Sequence, residues 1–151
     1  MEQLNNVKEY WNVLSSSVAD EFKDHWVDLD GSGLKEKLFE EISEYLAAFV
    51  PTSGGARILE VGCGTGRILD QLSNRLGGAI SLTGIDFSPP QIEVAAKRLR
   101  GRANFFACDL AEFAERIKEN DRFDLIFLHS RPCKIHLTHP NSHPGRAASP
   151  G

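Results

Sequence analysis

No stretch of the 151-residue chain approaches the roughly 18 consecutive apolar residues of a membrane-spanning helix. The N-terminal MEQLNNVKEYW lacks both the basic start and the apolar run of a secretion signal. A cytoplasmic protein with no membrane partner is expected. Positive charge is not in excess either: 17 Lys and Arg stand against 21 Asp and Glu, a formal net charge of -4. That balance removes the electrostatic reason to expect nucleic acid. A disulfide framework is also missing, because Cys63, Cys108 and Cys133 are odd in number and lack framework spacing. Reduced thiols are expected.

A last absence is local. Residues 131–151 contain Arg131, Lys134 and Arg146 but no Asp or Glu, so residues 1–130 carry 14 basic against 21 acidic groups, a formal -7. The same stretch holds four of the seven prolines and three of the five histidines. With no long helical or strand period it reads as a flexible or aberrant tail, from a different reading frame, splice choice or truncation than the sequence before it. Its Cys133, His136, His139 and His143 are zinc-ligand types, but nothing orients them and no metal is expected.

What is present is one domain's worth of ordinary soluble composition. Residues 1–50 read as a helical cap. Tyr10, Trp11, Leu14, Val18, Phe22 and Trp26 recur at three- and four-residue steps, as core packing or as part of an acceptor pocket. After the DLDGSG turn, Leu34, Leu38, Ile42, Tyr45, Leu46 and Phe49 mark one helix face. Beyond the PTSGG breaker, short apolar runs alternate with helical ones. ARILEVG, ISLTGIDF, ANFFACDL and FDLIFLHS read as strands, separated by helices that carry Ile68, Leu69, Leu72 and Leu76, then Ile92, Ala95, Ala96 and Leu99, then AEFAERIKE. The expected fold class is α/β, a Rossmann-like parallel sheet with helices on both faces. Ser88, Pro89 and Gln91 predict a capping box at the start of the second of these helices.

In ILEVGCGTGR, residues 58–67, glycines 62, 64 and 66 occupy the turn from a strand into a helix, where a ligand can approach the backbone closely. Asp86 ends the next strand, 20 residues beyond Gly66, where a carboxylate can accept from both hydroxyls of a ribose. The pattern predicts a nucleoside-containing cofactor. The spacing is G-x-G-x-G with Arg67 following, not the dinucleotide G-x-G-x-x-G, and Glu60 suits a cationic ligand better than a pyrophosphate. A nicotinamide-dependent dehydrogenase is therefore disfavoured.

Together ILEVGCGTGR and LTGIDFSPPQIEVAAKRL resemble the first two motifs of the Rossmann-like (class I) S-adenosylmethionine-dependent methyltransferases, in particular the small-molecule type, from about Arg57 to Ser130. The resemblance implies S-adenosylmethionine as cofactor and a small-molecule methyl acceptor as partner. It implies that Glu60, Gly62, Cys63, Gly64 and Gly66 surround the methionine part, with Glu60 near its amino group. Asp86 would bind the ribose, Phe87 would lie against the adenine, and Asp109 would reach the adenine amino group with help from Cys108 and Leu110. His129 and Ser130 would close the site. Read alone, Asp109 is equally a helix N-terminal residue satisfying backbone donors, and Cys108 a buried strand thiol. No residue stands out as a general base.

A complete fold of this type continues past the fourth strand, with strand order 3-2-1-4-5-7-6. Residues 51–130 supply only the first four strands, in the order 3-2-1-4, and nothing after Ser130 is expected to add another. FDLIFLHS would then be an open sheet edge, which predicts dimerisation through that edge and impaired transfer. A noncatalytic cofactor-binding module is the alternative.

Overall fold

The structure, a computed structural model, describes residues 34–51, 54–118, 121–130 and 134–138. The first helix, α1 (Leu34–Ala47), leads into β1 (Ala56–Val61), α2 (Arg67–Leu76) and, after a single 3₁₀ turn, β2 (Ile80–Asp86). There follow α3 (Pro89–Leu99), β3 (Ala103–Ala107), α4 (Leu110–Arg116), β4 (Leu125–Ser130) and β5 (Lys134–Thr138). The sheet order is β3-β2-β1-β4-β5, with the first four strands parallel, so the expected 3-2-1-4 arrangement is present.

Strand register divides the apolar side chains between two faces. Ile58, paired with Leu82 and Leu125, and Phe127, paired with Glu60, point to one face. There they join Phe39, Ile42 and Leu46 of α1, Ile68, Leu69 and Leu72 of α2, and Leu99 of α3 in the main core. Each such fully buried side chain contributes about 1.5–3 kcal/mol. The opposite face carries a smaller cluster of Leu59, Ile85, Cys108 and Phe113, flanked by Val61, Phe123 and Ile126. The inner face of α1 is rotated from the expected one: Phe39 is buried, whereas Tyr45 and Phe49 are exposed and meet edge to face. The apolar repeat alone allowed either stripe, and packing against α2 selects the one through Phe39.

Around these cores, polar contacts set the connections. Asp124 accepts from the Arg57 N–H through Oδ2 (2.8 Å), and its own N–H donates to the Arg57 carbonyl (2.8 Å). Arg57 also pairs with Asp121 at 3.1 Å, and the Lys118 N–H, together with this guanidinium, holds the Asp121 carboxyl below its usual range. These contacts fix where β4 begins beside β1. Arg102 reaches back to Ser73, Asn74 and Asp70, pinning the entry to β3 against α2.

Two expectations are corrected here. The chain after Ser130 does add an element: β5 pairs antiparallel with β4, Ser130 opposite Lys134 and Ile126 opposite Thr138. The edge of β4 is therefore covered along residues 126–130, and it is not the open edge through which dimerisation was expected. KIHLT alternates apolar and polar residues, and a strand so placed satisfies backbone groups that β4 would otherwise leave unpaired. The surrounding Pro, His and Ser hide that short period. Among the described residues no helix is long and apolar enough to cross a membrane. The Tyr10 to Trp26 segment, Cys133, His139 and His143 lie outside the described residues.

Candidate functional site

The carboxyl ends of β1 and β2 build the site. The N–H groups of Gly62 and Cys63 donate to the Ile85 carbonyl at 2.8 and 2.9 Å, and the Gly66 N–H closes a turn onto the Cys63 carbonyl (2.9 Å). The loop from Gly62 to Gly66 is thus strapped to the end of β2 before α2 begins. Gly66 has φ 74°, and a Cβ there would lie 3.0 Å from Ala95 Cβ and from Leu99 Cδ1. Only glycine lets α3 pack so closely behind the loop. From α3, Arg98 donates its Nε to the Thr65 carbonyl at 2.9 Å. Gly84 serves the same packing from beneath, since a Cβ on it would sit 2.8 Å from Cys63 Sγ. Sequence reading missed Gly84 and Arg98, because neither contact leaves a local pattern.

Two carboxylates occupy the same face of the sheet. Glu60 pairs in register with Gly84, and Asp86 stands two residues further along β2. Asp86 Oδ2 accepts from the Gly64 N–H and Oδ1 from the Ser88 N–H, both at 2.9 Å. Burial still raises its pKa, and these two backbone bonds only partly oppose that effect. Glu60 is 2% exposed, and its Oε2 has no hydrogen-bond partner among the described residues. Burial, reinforced by the Asp86 charge, pushes its carboxyl well above the ordinary range. Burial and the same two carboxylates push the Cys63 thiol up as well, so it is a poor nucleophile.

The other residues singled out by sequence fall around this pair. Phe87 is half-buried beside Asp86. Cys108 is buried, and its N–H donates to the Asp86 carbonyl (2.9 Å), which brings the end of β3 alongside the site. Asp109 Oδ1 accepts from the Glu112 N–H at 2.9 Å and caps α4, as its bland reading had it. Leu110 is 52% exposed and lines an apolar cavity of about 290 Å³ with Val61, Phe113, Phe123 and Leu128 on the opposite face of the sheet. His129 belongs to β4, opposite Ile135 of β5. The capping box is not formed. The Ser88 side chain makes no capping bond, and the Ser88 N–H that Gln91 would accept is taken by Asp86.

The donors of the three loop glycines and of Cys63 are already spent. The N–H groups of Gly62, Cys63, Gly64 and Gly66 all bond within the protein, to carbonyls or to Asp86. A pyrophosphate needs such N–H groups free and pointed at it. What the pocket offers a ligand is acceptor capacity and negative charge: one unpartnered buried carboxylate oxygen and the remaining lone pairs of Asp86. That set fits an ammonium group and ribose hydroxyls. Among the described residues no cluster of potential metal ligands occurs.

Comparison with known proteins agrees with this geometry. The family model described as a methyltransferase domain matches residues 58–144, more than half of the chain. Malonyl-[acyl-carrier protein] O-methyltransferase of Bacillus anthracis is 33% identical over 95 residues, covering 63% of this chain and 34% of that protein. O-methyltransferase resE of Aspergillus sclerotiorum is 37% identical over 71 residues, 47% of this chain and 26% of that one. The chain therefore spans between a quarter and about a third of the length of these curated relatives. Among solved structures, magnesium protoporphyrin IX methyltransferase (ChlM) of Synechocystis PCC 6803 with bound SAM superposes with a TM-score of 0.61 at 16% identity, covering 84% of this chain and 61% of that one. That likeness is one of fold. The plantazolicin methyltransferase BpumL, in complex with a monoazolic desmethylPZN analog and SAH, superposes at 0.51 with 25% identity, covering 84% of this chain and 50% of that one.

Proposed function

The chain belongs to the methyltransferase-domain family, the class I S-adenosylmethionine-dependent methyltransferases, and from that premise we propose that it binds S-adenosylmethionine and serves methyl transfer to a small-molecule acceptor. The observation that carries the reading is the Glu60 and Asp86 pair beside a glycine loop whose N–H groups are already bonded. Such a pocket favours a cationic nucleoside over a dinucleotide. Malonyl-[acyl-carrier protein] O-methyltransferase, named for a carrier-bound acyl group, supports this acceptor class, while a relative of Arabidopsis thaliana named small RNA 2'-O-methyltransferase matches over 54% of the chain as well.

On this reading residues 51–130 form the cofactor-binding unit, residues 1–50 its helical cap and 131–151 an appendage. Glu60 binds the amino group, the Gly62 to Gly66 backbone shapes the seat of the methionine part, and Asp86 accepts from the ribose hydroxyls. Phe87 covers the adenine, Asp109 and the backbone at Cys108 and Leu110 line its edge, and His129 closes the site. When bound, S-adenosylmethionine supplies a methyl group already activated by its positive sulfonium. The chain's own task is alignment, and holding two reactants in line supplies on the order of 7–11 kcal/mol without a side chain that makes or breaks bonds.

Calorimetric titration with S-adenosylhomocysteine and with NAD tests the reading. Binding of S-adenosylhomocysteine, lost in Asp86→Ala, is expected, and binding of NAD alone would refute it. Methyl turnover with candidate acceptors then distinguishes an enzyme from a module that only binds the cofactor.

A further inference from the structure

Gln91 stands in the first turn of α3, where sequence places it as the partner of Ser88 in a capping box. The structure denies it that role, because the Ser88 N–H donates to Asp86 Oδ1. Its side chain is half-buried and lies over the glycine loop, with Oε1 3.3 Å from the point a Cβ on Gly64 would occupy. The Gly64 N–H donates to Asp86 Oδ2. Gln91 and Asp86 therefore approach the same loop residue, one as an amide and the other as a carboxylate.

A ribose hydroxyl that donates to Asp86 keeps lone pairs of its own, and in a half-buried pocket those need a donor. The loop glycines, Cys63 and Ser88 do not provide one. The N–H groups of Gly62, Cys63, Gly64, Gly66 and Ser88 are all committed within the protein. An amide side chain offers two N–H donors and reorients by rotation to present them. We propose that Gln91 is a further cofactor-binding residue, its side-chain amide donating to a ribose hydroxyl that donates in turn to Asp86. The proposal rests on the function proposed above and adds a specificity element to it: Gln91 makes the site read the sugar's hydroxyls.

The test compares S-adenosylhomocysteine with its 2′-deoxy and 3′-deoxy analogues by calorimetry, on the unsubstituted chain, Gln91→Leu and Gln91→Glu. Loss of one neutral hydrogen bond should weaken S-adenosylhomocysteine binding about 3–10-fold in Gln91→Leu. The penalty for removing one of the two hydroxyls should shrink by the same factor, and the thermal midpoint should stay within about 2 °C. Gln91→Glu, which keeps the side-chain length but has no donor when ionised, should lose at least as much affinity and serves if the leucine variant fails to fold. A lowered midpoint with all three ligands weakened alike would show a purely structural role and overturn the proposal, as would unchanged affinities. If the unsubstituted chain binds no S-adenosylhomocysteine, the parent reading itself falls and this one with it.

Discussion

Replacing Glu60 by Gln separates what this side chain costs the fold from what it gives the ligand. The carboxylate is 2% exposed, with Oε2 unpartnered and Asp86 nearby. Leaving a buried acceptor unsatisfied costs about 1–3 kcal/mol, and more when it is charged. Because the folded-state pKa is raised, protonation of Glu60 favours folding. Its contribution is present at pH values below the ordinary Glu range and is lost as pH rises through the folded value. Glu60→Gln keeps the shape and removes the titration. Relative to the variant, the ligand-free wild type should therefore lose about 1–3 kcal/mol as pH rises from the acidic range through the raised folded-state value, about 3–10 °C in midpoint for a chain of this size. Binding should move the other way. A charge-assisted bond to an ammonium group is worth about 1.5–3 kcal/mol, so S-adenosylhomocysteine should bind Glu60→Gln roughly 10- to 150-fold more weakly at neutral pH. Thermal melts of both proteins across pH, with titration calorimetry alongside, give both quantities. A wild type that gains stability over the variant as pH rises, or a variant that binds as tightly as wild type, would refute the reasoning.

Three further outcomes are expected. Gly66→Ala forces a Cβ to 3.0 Å from Ala95 and Leu99 at φ 74°, and should cost about 1–3 kcal/mol in chemical denaturation. Asp109→Ala removes the α4 cap and should cost about 1 kcal/mol, with Asp109→Asn restoring most of it in the same assay. Deleting residues 131–151 removes β5 and uncovers the β4 edge; light scattering should then show self-association that the intact chain lacks at equal concentration.

The sheet was legible in the sequence because its strands are short apolar runs set between helical stripes, and a parallel core writes that alternation plainly. The ligand loop was legible because three glycines and Asp86 keep a fixed spacing along the chain. What local pattern could not show is which surfaces meet. The same apolar repeat in α1 admits Tyr45 or Phe39 on its inner face, and only α2 decides between them. Gln91 fits a capping motif until Asp86 claims the N–H that the motif needs. Gly84 looks like an ordinary strand glycine until Cys63 is seen against it. β5 is five residues long, and its alternation is lost in a composition otherwise typical of a tail.

The carboxylate of Asp86 joins two stretches of chain, Gly64 after β1 and Ser88 after β2, with one oxygen for each. It is a seam as well as a binding group. Removing it opens the seam before any ligand arrives, so a variant there reports folding and recognition together, as one number. The sharper instrument is on the ligand's side: taking a hydroxyl off the sugar leaves the protein's stitching whole and asks only what the pocket reads. The same seam also means that the pocket's acceptors are set in place as β1 and β2 come together. Ligand binding then has little left to organise, and the ordering entropy belongs to folding and not to capture.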